Sequence, residues 1–429
     1  MGRGHQLTNA SRDELAAPSA GETRVFALAD NGGGVRNVAA TASLSDEFDR
    51  DVWNLFGLPV DAVNLAAAAS QVEAAARAGR RLRIVTPNVN FLCMARDDAV
   101  VRRDVIDNEI SLVDGAPLLL LARLAGAPFP ERVAGSDLFD VLRRRPAPRG
   151  RKLRVFFFGG LDGAGARACA ALNADVGGGM ECVGSLDPGV GGADEMSGDS
   201  LINAINAARP DFVVAALGAR KGLAWIASAA ARLDAPVISH LGAVVNFVGG
   251  DVRRAPRFLQ RLGLEWAWRI LQEPALWRRY WSDAKTLADI MIRQALPLAL
   301  NPATPTGAAP VAVVSSAGGE LEIAVAGDQL AGKLEALRRA LRQAVSVSAP
   351  VTVDLSRIGA FDGAFLGQLL MLEKALMPQN RRFTMRGLDR AARRRLKWHG
   401  FAFAEGRAAP RGEAVDGTES DIAGGRQTA

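Results

Sequence analysis

Four stretches of this chain carry residue types suited to chemistry on a polar, phosphorylated substrate. Thr86-Pro87-Asn88-Val89-Asn90 closes an apolar run. Its hydroxyl and amides offer neutral donors and acceptors for sugar hydroxyls or phosphate oxygens; the same residues also read as a turn and a helix N-cap. Val113-Asp114-Gly115 places a carboxylate where a base could take a proton from a hydroxyl, or forms an Asp-Gly turn. The run from Phe158 to Gly165 is glycine-rich, and Gly159, Gly160 and Gly163 can present backbone N–H groups to a phosphate. It lacks a clean GxGxxG, has no acidic ribose ligand at the distance a dinucleotide site needs, and reads equally as a tight turn. The fourth stretch is basic, from Arg253 to Trp281. At about 100° per residue, Leu259, Leu262, Trp266 and Ile270 share one stripe, beside an arc of Arg254, Arg257, Arg261 and Arg269. That pairing suits a diphosphate and a bilayer interface; the alternative is a core-packed helix with a solvated basic face.

The elements that must position these residues alternate. Strand-like runs RLRIV, ISLV, KLRVFFFGG, DFVVAALGA and APVISH are separated by helical patterns, including one over Phe91–Arg103, one over APLLLLARLAG and one over GARACAALNA. Continuous apolar strands between helices predict a parallel sheet covered on both faces, with ligands outside the carboxyl ends of its strands. Residues 1–50 and 406–429 have the composition of poorly ordered tails. A Pro/Gly/Ala linker spans 301–310, and a second, smaller α/β pattern follows over 311–405. The linker implies an independent unit, whose removal from residue 308 onward would leave the first domain working.

Composition narrows the classes. The formal charge of +6 and pI near 9.7 favour an anionic partner, but aromatic and basic residues do not interleave as in a single-strand nucleic-acid platform, so no nucleic acid is expected. Three cysteines without CxxC spacing argue against a disulfide framework or zinc site, and the three histidines, His5, His240 and His399, are far apart. No metal or cofactor is expected. The N-terminus has no apolar leader, and no run reaches the roughly 18–20 apolar residues of a span. These features predict a chain in the reducing cytoplasm, which would reach any lipid from the membrane surface.

In order and spacing, TPNVNFLCMAR, SLVDGAPLLLLARLAG, PERVAGSDLF, RVFFFGG, PDFVVAALGARKG and GAVVNFVGGDVRRAPRFLQRLGLEWAWRILQEP resemble the WecG/TagA/CpsF glycosyltransferases. The resemblance implies a Rossmann-like transferase domain over 51–300, including a basic appendage at 251–285. It implies inverting transfer of an N-acetylmannosamine-type or related hexose from a UDP-sugar to a polyprenyl-diphosphate-linked saccharide, for an exopolysaccharide or other cell-surface polymer. Asp114 then takes the place of the catalytic base. Thr86, Asn88, Asn90, Gly115, Asp137, Gly159, Gly160, Gly163, Gly218, Lys221, Asn246, Arg254, Arg257 and Arg261 make the substrate-binding set. Two departures stand out. The family's Pro-Lys-Gln-Glu run is Arg220-Lys221-Gly222-Leu223 here, and its Asp in the GAxxDF loop is Asn246. The C-terminal unit resembles a STAS domain, with VTVDLSRIGAFDGAFLGQLL at the usual phosphorylation loop. Gly363 and Ala364 follow Asp362, so no hydroxyl is present there. The unit is expected to dock a protein partner or sense a nucleotide. Rival readings are a nucleotide-dependent oxidoreductase and a non-catalytic regulator built on a degenerate transferase.

Overall fold

The computed structural model describes residues 46–147, 150–252, 255–256, 258–259, 265–272, 274, 277–317 and 319–403. Its centre is a six-stranded sheet, all neighbours parallel, in the order β4-β3-β8-β7-β5-β6. The strands are β3 (Leu82–Val85), β4 (Ile110–Ser111), β5 (Leu153–Gly159), β6 (Met180–Leu186), β7 (Phe212–Ala216) and β8 (Val237–His240). Phe156, Phe157 and Phe158 of β5 show why both faces are covered. Successive side chains point to opposite sides of a strand, and all three rings are buried. Phe157 joins one apolar cluster with Phe139 and Val214, whereas Phe156 and Phe158 join the other with Trp225 and Ile238. Phe158 stacks on Trp225 at 4.3 Å between centroids.

Around the sheet lie α1 (Leu65–Ala78), α2 (Val89–Asp97), α3 (Ala99–Ile106), α4 (Ala116–Leu124), α5 (Gly135–Arg144), α6 (Ala164–Asn173), α7 (Asp199–Ala207), α8 (Ala219–Ala229) and α9 (Gly242–Gly249). The single helix expected over Phe91–Arg103 is two, because Asp98 ends α2 in an extended conformation and caps α3, accepting from Val100 N at 2.9 Å. Strand β6 was not foreseen. Its Gly184 leaves room for the Phe156 ring, beside a register shift between Val155 and Phe156. Against expectation, Cys169 of α6 and Cys182 of β6 form a disulfide, their Cα atoms 5.1 Å apart, because the helix packs along that strand.

After α10 (Glu265–Gln272), α11 (Trp277–Ile290) and α12 (Leu296–Leu300) comes the second sheet, ordered β12-β11-β10-β9. It comprises β9 (Val311–Ala317), β10 (Glu320–Gln329), β11 (Val351–Phe361) and β12 (Phe383–Arg386), and carries α13 (Glu335–Val345), α14 (Gly363–Leu376) and α15 (Arg390–Trp398). Asp328 ties the preceding coil to this sheet, accepting from Thr306 N, Thr306 Oγ1 and Gly307 N.

The second unit is not packed as an independent domain. Thirteen of the fourteen residues of α14 are buried, because its outer side lies under a hairpin from the other end of the chain. That hairpin is β1 (Val52–Leu55) and β2 (Leu58–Asp61), turned at Phe56 and Gly57, both at positive φ as a two-residue primed turn requires. A Cβ on Gly363 would meet Trp53 Cε3 at 2.8 Å. One on Gly367 would meet Trp53 Cα at 3.1 Å and the Val52 carbonyl closer still. These two glycines, one helical turn apart, let backbone rest on backbone. Asn54 closes the seam by donating to His399 O at 2.8 Å. A single apolar cluster therefore contains Trp53, Val105 and Leu118 together with Val353, Phe365 and Leu370.

Charge crosses the same seam. Lys374 of α14 pairs with Glu47 at 2.6 Å and donates to Asn108 O at 2.9 Å. Arg50 holds Asp61 through two bonds and Glu47 through a third. Asp61 accepts from Ser111 N at 2.7 Å, three residues before Asp114. Arg102 grips Glu373 with two bonds at 2.6 and 2.8 Å.

Candidate active site

At the carboxyl ends of the parallel strands lies a cavity of about 810 Å³. Five of its wall segments start helices: Asn88–Phe91 begins α2, Gly115–Pro117 begins α4, Ala134–Ser136 begins α5, Gly218–Ala219 begins α8 and Leu241–Ala243 begins α9. Five helix N-termini therefore face one space. Their aligned peptide dipoles place partial positive charge there, which makes it receptive to a phosphorylated ligand. Asn88 caps α2 and accepts from Phe91 N at 3.3 Å, so the N-cap reading of that loop and its presence in the cavity wall both hold.

Asp114 sits among these N-termini. Its own N–H donates to Pro87 O at 2.9 Å, fixing the turn, and Gly115 follows at φ 96°, a conformation only glycine adopts freely. Burial pushes the Asp114 carboxyl up to about 7; Arg132 pulls against that, Glu265 and Asp137 add to it, and Arg269 opposes them. Arg132 donates to Glu265 at 2.8 Å and to Asp137 at 2.9 Å. It thus bridges α5 to α10, which closes the cavity together with α11 through Trp266, Arg269, Ile270, Arg279 and Tyr280. The ion pair of Arg96 with Asp289 at 2.7 Å fastens α11 to α2.

Of the residues singled out in the sequence, Thr86, Asn88, Asn90, Asp114, Gly115, Gly218 and Asn246 line this cavity. Asp137 touches it through Arg132. Lys221 lies one turn into α8 and is not in the wall. Gly159, Gly160 and Gly163 do not line it either. All three have positive φ, and side chains on the first two would strike Ala216 O and Val245; they are glycines so that β5 can turn under β7 and α9. Arg254, Arg257 and Arg261 lie outside the described residues. Sequence reasoning assigned no role to Arg132, Glu265 or His240. Arg132 was inside a quoted motif, but a lone arginine gives no spacing to recognise. Among the described residues, no group of three His, Cys, Asp or Glu side chains is placed to hold a metal.

A family model for the WecG/TagA/CpsF glycosyl transferases matches residues 53–299, more than half of the chain. The chain belongs to the WecG/TagA/CpsF glycosyltransferase family. As a member it is a UDP-sugar-dependent hexosyltransferase. A second model, for the Mlab-type STAS domain, matches residues 312–402, so the C-terminal unit is a STAS domain. Among curated proteins, the chain is similar to an N-acetylglucosaminyldiphosphoundecaprenol N-acetyl-beta-D-mannosaminyltransferase from Bacillus spizizenii. The two are 32% identical over 208 residues, covering 48% of this chain and 78% of that protein. No helix of the described residues is long and apolar enough to cross a membrane.

Proposed function

We propose that this glycosyltransferase moves an N-acetylmannosamine-type or related hexose from a UDP-sugar to a polyprenyl-diphosphate-linked saccharide, with inversion, in the synthesis of a cell-surface polymer. The observation that carries this is the Asp114 carboxyl, poised near neutral pH in a ring of helix N-termini. An acceptor hydroxyl beside Asp114 gives up its proton to the carboxylate as its oxygen attacks the anomeric carbon. The bond from that carbon to the β-phosphate oxygen breaks on the opposite side, and UDP leaves with the electron pair. The N-termini of α8 and α9 are suited to the charge that develops on the diphosphate, being already oriented before the reaction. Arg132 and Arg279 add cationic charge to the same walls. The similarity to the Bacillus spizizenii enzyme supports a lipid-linked acceptor. The test is turnover of purified full-length protein with a panel of UDP-hexoses and UDP-N-acetylhexosamines on a short-chain polyprenyl-diphosphate N-acetylglucosamine. No product from any donor sinks the reading.

A polyprenyl acceptor keeps its lipid in the bilayer, so the cavity must reach the headgroup plane. Trp266, Trp277 and Trp281 of α10 and α11 line the cavity and stay exposed, and Leu271 of α10 is exposed as well. Exposed tryptophans beside arginines favour a membrane interface. The double variant Trp277→Ala, Trp281→Ala is expected to lose at least half of its co-sedimentation with vesicles containing anionic phospholipid while keeping UDP binding. Unchanged sedimentation would place the membrane contact elsewhere.

A further inference from the structure

His240 ends β8 inside the cavity wall and has no part in the chemistry described so far. Its ring is wedged. Phe91 lies on one side, 6.1 Å between centroids. Gly222 of α8 lies on another, where an added Cβ would come within 2.8 Å of His240 Cγ and Nε2 and closer still to Cδ2. Any side chain at 222 would therefore occupy the space of the imidazole. The sequence shows the same exchange: the position the family resemblance fills with an amide is emptied to Gly222. The neighbouring departure, Leu223, does not compensate, since it is buried in the shared apolar core. The group that stands in the vacated space is the imidazole.

The ring's orientation is fixed by chemistry. Nε2 lies 2.7 Å from Leu217 O. A carbonyl can only accept, so Nε2 carries the hydrogen and Nδ1 keeps its lone pair. Burial lowers the affinity of the ring for a second proton, partly offset by the Leu217 bond. Among the described residues Nδ1 makes no hydrogen bond, and His240 lines the cavity wall. It lies beside the N-termini of α8 and α9, the half of the cavity assigned above to the donor.

We propose that His240 is a specificity-determining residue whose Nδ1 accepts a hydrogen bond from an O–H or N–H group of the nucleotide-sugar donor, with Gly222 conserving the space its ring needs. This rests on the donor reading given above. Three variants test it. His240→Gln keeps a donor for Leu217 O but removes the Nδ1 acceptor; His240→Phe keeps the ring volume and loses both nitrogens. Gly222→Ala displaces the ring. Each is expected to raise the donor Kd and KM about 3- to 10-fold, the cost of one neutral hydrogen bond, with a smaller change in kcat. Gly222→Ala on top of His240→Ala should add little, because the ring it would displace is gone. Calorimetry with UDP alone separates the source of the contact: an unchanged UDP Kd places the partner on the sugar, and an equal loss places it on the nucleoside.

Should the variants not fold, the ¹⁵N signals of the wild-type imidazole decide the matter. Nδ1 is expected to shift on addition of a saturating UDP-sugar while Nε2 stays. If the wild type binds no UDP-sugar, the donor reading itself fails. If it binds and Nδ1 does not respond, or if the folded His240 variants bind and turn over the donor like wild type, the His240 inference alone is overturned.

Discussion

Asp114→Asn is expected to lower turnover by about 10²- to 10⁴-fold, the usual cost of losing a general base, while UDP binding and the fold survive. The same variant carries a pH signature. With the wild-type carboxyl raised from 3.8 to about 7, kcat/KM should climb with pH through about 7 and then level off, and the residual activity of the Asn enzyme should lack that step. Stability follows with the opposite sign. A carboxyl whose folded value is raised stabilises the fold while it is protonated, so its contribution is fully present below about 4 and is lost as pH rises through about 7. Asn keeps a neutral group there at every pH. The variant should therefore melt higher than wild type at pH 8 and show little advantage at pH 4. Near-normal turnover, or a flat wild-type profile between pH 5.5 and 8.5, would remove Asp114 from the role of base.

Deleting residues 308–429 is expected to abolish soluble, folded enzyme and not merely a regulatory response. The deletion strips α14 from Val52, Trp53 and Leu55 and leaves the Glu47, Arg102 and Glu109 charges short of Lys374 and Glu373. A subtler probe is Gly367→Leu, which pushes a side chain into the Val52 backbone. Overpacking of this kind costs on the order of 1–3 kcal/mol or more, enough to lower the melting temperature by several degrees. Both halves should unfold in one transition, followed by the Trp signal and by calorimetry. A truncated chain that stays folded and active, or two well-separated transitions, would refute the shared core.

The sheet was legible because its strands are continuous apolar runs between helices, and RVFFFGG or DFVVAALG has few other homes. The site was legible where a short polar motif closes such a run, as at Thr86, Asn88 and Asp114. What was not legible was long-range. Nothing in VWNLFGLPVD indicates that its hairpin leaves the main sheet to lie on a helix more than three hundred residues away. The Pro-rich linker suggested separability because composition reports local stiffness, whereas the burial of α14 depends on a surface supplied by the other end of the chain. The glycine loop is ambiguous in sequence for a related reason. Gly159 and Gly160 look alike whether a backbone or a phosphate fills the space above them, and here Ala216 and Val245 fill it. His240 was passed over because a lone histidine has no spacing to recognise; its meaning depends on Gly222, eighteen positions earlier.

The hairpin on α14 also sets an order of events during synthesis. Its strands are made early, ending at Asp61, and the helix that covers them begins at Gly363. At about 5–20 residues per second, that interval lasts roughly 15–60 s, during which Trp53 and its neighbours have no lasting cover. A nascent chain in this condition is a natural client for ribosome-associated chaperones. Premature termination anywhere before α14 should then yield a product that is cleared, so that working transferase accumulates only from chains translated through to the second sheet.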